Sequence, residues 1–81
     1  MENNKYIILA QVNKSHNSLY LCNNYDLKNE GEMKRSGVKP TIYNEDPKEH
    51  LALLNKEWSF KGLFEYYSRK VEGKFAEVCN G

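Results

Sequence analysis

The sequence predicts a small α+β domain, and three observations carry that expectation. Two short apolar runs rich in strand formers, Tyr6 to Val12 and Ser18 to Cys22, flank the polar turn residues Asn13-Lys14-Ser15-His16-Asn17. The pattern Asp46-Pro47-Lys48-Glu49 stands ahead of an amphipathic segment as a helix start. Finally, Phe60, Leu63, Phe64, Tyr67, Val71, Phe75 and Val78 fall within an arc of about 120° at helical spacing. With 81 residues, 40% of them hydrophobic and 28% charged, there is material for one core and no second domain.

The two apolar runs are the length of strands, and the pentapeptide between them is the length of a hairpin loop. Residues 23–39 carry two Gly, three Asn, seven charges and few large apolar side chains, which predicts a mobile polar loop or a weak edge strand. Pro40 suits the first residue of a short third strand, Thr41-Ile42-Tyr43. Asp46 is placed to cap a helix with Pro47 at its first position and Glu49 closing a capping box. Leu51, Leu54 and Trp58 share one face of that helix, with Trp58 as its anchor.

Ser59 then caps a second predicted helix running to about residue 79, with Gly62 and Gly73 on its polar side and Glu65 to Arg69 as an i, i+4 ion pair. The competing reading is a hairpin, Leu63 to Val71 turning at Glu72-Gly73 into Lys74 to Cys79. It sets Glu65 and Arg69 on one face with Leu63, Tyr67 and Val71, and the helix is preferred for that reason. The predicted architecture over residues 1–81 is an N-terminal antiparallel hairpin with a short third strand, packed on two C-terminal amphipathic helices.

Charge and composition narrow the function classes. A net charge of +1 and a pI near 7.7 supply no global field for nucleic acid or acidic membranes, so such binding would need a local patch. No run approaches the length of a membrane span and no secretory signal is visible, so the expected location is cytoplasmic. Ten of the twelve basic residues are Lys, with ten Asn and six Tyr, a bias toward AT-rich codons that suggests a bacterial, phage or other mobile-element gene. Cys22 and Cys79 then read as buried free thiols rather than a disulfide.

No metal, cofactor or catalytic set stands out. His16, His50, Cys22 and Cys79 are the right residue types for zinc, but lack the close ligand pairs of structural sites. His16 with Cys22 is likewise a poor nucleophile and base pair. The only basic cluster is Lys34-Arg35-Ser36-Gly37-Val38-Lys39 with Lys28 upstream, whose glycine would let main-chain amides approach a phosphate. It defines the alternative function, a nucleic-acid or nucleotide binder.

The favoured function is a non-enzymatic protein-binding module, a small inhibitor or accessory factor that occupies a partner's surface. Both faces of the hairpin are apolar, and two helices are expected to cover one. Ile7, Leu9, Leu19 and Leu21 are therefore the predicted contact with a second copy of the chain or with an unidentified target, and Tyr43 and Tyr66 are aromatic anchors of the interface type.

Overall fold

The computed structural model describes residues 4–13, 17–22, 26–59, 61–73 and 76. Strand β1 (Tyr6–Val12) pairs antiparallel with β2 (Ser18–Leu21), as the apolar runs predict, and the register sets Leu9 opposite Tyr20 and Ala10 opposite Leu19. Strand β3 (Leu27–Lys28) continues the sheet beyond β2. Helix α1 (Glu30–Ser36) and helix α2 (Lys48–Glu57) follow, and β4 (Phe64–Lys70) returns to lie antiparallel beside β1. The result is an α+β domain built on a four-stranded antiparallel sheet in the order β3-β2-β1-β4.

Alternation along the strands splits the core in two. Ile7, Leu9, Tyr20 and Cys22 share one face of the sheet with Met33 of α1, joined by the half-buried Val38, Tyr67 and Val71. Ile8, Ala10, Leu21 and Tyr66 share the other with Leu54 of α2, joined by Leu27, Tyr43, Leu51 and Phe64. Residues Ile7 to Ala10 are consequently all buried, the pattern of a strand enclosed on both faces.

The segment expected to be a mobile loop holds β3 and α1. Asn29 closes a capping box: its side chain accepts from the Glu32 amide at 2.8 Å, and its own amide donates to the Glu32 carboxylate at 3.2 Å. Acidic residues occupy the first turn and Lys34 and Arg35 the last, in register with the helix dipole. Gly37 ends the helix at φ 74°, where its amide donates to the Met33 carbonyl. The helix was hidden because Met33 alone reaches the core, leaving its seven residues otherwise polar.

The third strand is also displaced, from 41–43 to Leu27–Lys28. Pro40 and Tyr43 instead make single bridges, to Cys22 and Tyr6, filling the fork where β1 and β2 part. Tyr6 and Tyr43 exchange main-chain hydrogen bonds at 2.8 Å, and the Thr41 amide reaches the Leu21 carbonyl at 3.1 Å.

Helix α2 has the expected extent but a different cap. Pro47 is the N-cap residue, with no side-chain cap, and the Asp46 carboxylate accepts from the Ser68 hydroxyl at 3.0 Å instead. Leu54 is the buried anchor and Leu51 is half-buried, whereas Trp58 lies 42% exposed at the helix end.

The largest correction concerns the second predicted helix, which is strand β4. Its stripe mixes the two sheet faces: Phe64 belongs with the α2 side, Tyr67 and Val71 with the α1 side. Charges at Glu65 and Arg69 are tolerated because β4 is an edge strand on which both stay exposed, Arg69 lying 5.4 Å over the Tyr67 ring. Lys61 and Gly62 adopt φ 60° and 84° before the strand and Gly73 adopts 58° after it, so these glycines serve turns rather than a helix. Expectations for His16, Phe60, Phe75, Val78 and Cys79 lie outside the described residues. Among the described residues no helix is long and apolar enough to cross a membrane.

Candidate functional site

The predicted contact patch is divided by the register. Because Leu9 stands opposite Tyr20, Ile7 and Leu9 face α1 while Leu21 faces α2, so the four aliphatics do not form one surface. Ile7 and Leu9 are 0% and 3% exposed, Leu21 and Tyr66 2% and 5%, and Leu19 is half-buried. Tyr43 is half-buried, its ring 5.9 Å from that of His50. Neither face is bare: Met33 and Val38, from residues 23–39, pack on one and Leu54 of α2 packs on the other.

The basic cluster has local partners in α1. Lys34 lies 3.8 Å from Glu30, and with Arg35 it sits at the negative end of the helix dipole. The Gly37 and Val38 amides, which a phosphate would need, donate to the Met33 carbonyl and the Ser36 hydroxyl. Lys28 is half-buried on β3 and Lys39 is exposed beyond α1.

Cys22 is a buried free thiol, and desolvation pushes its pKa upward, with Lys28 partly opposing and Asp26 adding. Such a thiol is a weak nucleophile at neutral pH. Among the described residues no three His, Cys, Asp or Glu side chains gather as metal ligands would.

Among the described residues the exposed large apolar side chains are Ile42, Leu53, Trp58 and Leu63, and the last two stand on the connection from α2 to β4. Trp58 and Leu63 are 42% and 47% exposed, and Leu53 lies outward on α2. This connection is tied down: the Tyr66 hydroxyl donates to the Trp58 carbonyl at 2.8 Å, and the Phe64 amide to the Ser59 carbonyl at 3.0 Å. On the β1 side, the Asn13 amide reaches the Leu63 carbonyl at 2.7 Å. The Phe64 and Tyr66 rings lie 6.3 Å apart in the α2-side cluster.

Beyond the connection, the outer edge of β4 is sealed in part. The Asn13 to Leu63 and Val71 to Lys5 bonds fix the parity of pairing with β1, so Phe64, Tyr66, Ser68 and Lys70 aim their main-chain groups away from it. Ser59 takes the Phe64 amide. The Asn55 side chain then acts as a short strand, accepting from the Tyr66 amide at 2.8 Å and donating to its carbonyl at 3.1 Å. Nothing in the sequence marks Asn55 for this role, because an Asn on the polar side of a helix is ordinary. Trp58 was singled out as a core anchor, and its position at the helix end is what turns it outward. No protein-family model matches the chain, and comparison with curated proteins and with solved structures yields no match.

Proposed function

We propose that the chain is a non-enzymatic binding module that acts by occupying the surface of another protein, as a small inhibitor or accessory factor does. The observation that carries this reading is the exposure of Trp58 and Leu63 at the two ends of the α2–β4 connection while both sheet faces are filled from within the chain. Tryptophan on a fixed backbone brings large contact area at small entropic cost, the character of an interface hot spot.

The test is a photo-cross-linking residue placed at Leu63 in the chain expressed in its native host. The expected result is a discrete adduct with one protein, lost on Trp58→Ala while the fold is kept. A featureless smear, or an adduct indifferent to Trp58→Ala, overturns the proposal.

A further inference from the structure

We propose that the open half of β4's outer edge receives an extended acidic segment of a partner protein as an added strand. The inference rests on main-chain geometry and charge, independently of the apolar connection. Ser68 and Lys70 point their N–H and C=O groups outward, and among the described residues these groups have no partner, whereas the Phe64 amide and both Tyr66 groups are bonded. An unpaired edge of this kind is a template for strand addition.

Charge selects the occupant. Lys5, Arg69 and Lys70 are exposed around this half of the edge, with Lys5 bonded through its carbonyl to Val71, and none of the three makes an ion pair among the described residues. Alternation sends Arg69 to the α1 face and Lys70 to the α2 face. An incoming strand with acidic residues at successive positions meets a cation on each side. Of the neighbouring carboxylates, Asp46 accepts from the Ser68 hydroxyl and keeps its charge, and Glu72 follows the strand, so three cations stand against two carboxylates. A second copy is disfavoured as the occupant, because two-fold pairing over Ser68 to Lys70 sets Arg69 against its own counterpart.

The experiment titrates the full chain with a blocked valine-rich peptide carrying glutamate at two successive positions, and follows amide hydrogen exchange by NMR. The controls are the lysine counterpart, the same peptide N-methylated at alternate amides, and a single-stranded oligonucleotide of matched charge. The acidic peptide should slow exchange at Ser68 and Lys70 and leave Tyr66 unchanged. The N-methylated peptide should not bind, since it cannot complete the ladder. Arg69→Gln with Lys70→Gln should weaken binding about three- to tenfold without altering the fold, since both side chains are exposed. The proposal is overturned by unchanged exchange at Ser68 and Lys70, by equal binding of the lysine or N-methylated peptide, or by an oligonucleotide that competes equally. Self-association of the free chain through this edge in sedimentation overturns it as well.

Discussion

The two faces of the sheet are covered by helices that hold on in different ways. Helix α2 has ten residues and lies on its face through Leu54 and Leu51; the Asn55 side chain holds the Tyr66 main chain, and at the helix ends the Trp58 carbonyl accepts from the Tyr66 hydroxyl and Asp46 from the Ser68 hydroxyl. Helix α1 has seven residues, sends only Met33 fully into the core, and is ordered by its ends, the Asn29 capping box and the Gly37 terminator. Isolated helices this short are unstable, because nucleation costs more than so few hydrogen bonds return. The contrast teaches that a sheet face can be closed either by an amphipathic stripe or by one apolar knob on a well-capped turn.

The largest effect should separate the two knobs. Leu54→Ala is expected to cost about 3 to 4 kcal/mol and Met33→Ala about 2, because Leu54 is the more deeply buried, 1% exposed against 5%, and Met33 is a flexible, unbranched side chain whose site its neighbours can adapt to. Urea unfolding of both variants measures this. Equal losses would break the distinction between a stripe and a knob.

Next in size are the polar attachments. Asn55→Ala opens both outward groups of Tyr66 and should cost about 1 to 2 kcal/mol, with faster exchange of the Tyr66 amide. Asn29→Ala should cost about 1 kcal/mol, loosening the amides of α1 alone. Exchange rates read residue by residue would sharpen the comparison, and an Asn29→Ala effect that spread to α2 would contradict it.

The smallest effect is with pH. Burial raises the pKa of Cys22 in the α1-side cluster from 9.0, with Lys28 opposing, and that of Tyr66 in the α2-side cluster from 10.0. In both cases the fold favours the protonated form. The associated stability is fully present below the unfolded values and is lost as pH rises through the folded ones. Tm should therefore be level through neutrality and decline above about pH 9, a decline that Cys22→Ala delays and Tyr66→Phe shortens at its upper end. A Tm in either variant that tracked the parent at every alkaline pH would remove that side's titration from the account.

Much of this chain is written locally. Short continuous apolar runs specified β1 and β2, and the stripe of Leu51 and Leu54 specified α2, because each signal is strong over its own few residues. The capping box at Asn29 and Glu32 was equally local but stood among charges that read as loop. Its meaning depends on Met33 having a sheet to touch. Of the candidate site, the sequence contained Trp58, Leu63, Arg69 and Lys70 without saying which way they face.

The ambiguous part was 60–71, where a helical arc and an alternating strand fit the same apolar residues. By itself the sequence determined the hairpin, the extent of α2 and the free thiol at Cys22. Only tertiary structure decided that 64–70 is a strand, since β1 offers it a ladder of main-chain partners that an isolated segment does not have. The same pairing placed Ile7 and Leu21 on opposite faces and left Ser68 and Lys70 at an edge that is open among the described residues. Register and edges are relations between strands distant in sequence, and no local periodicity encodes them.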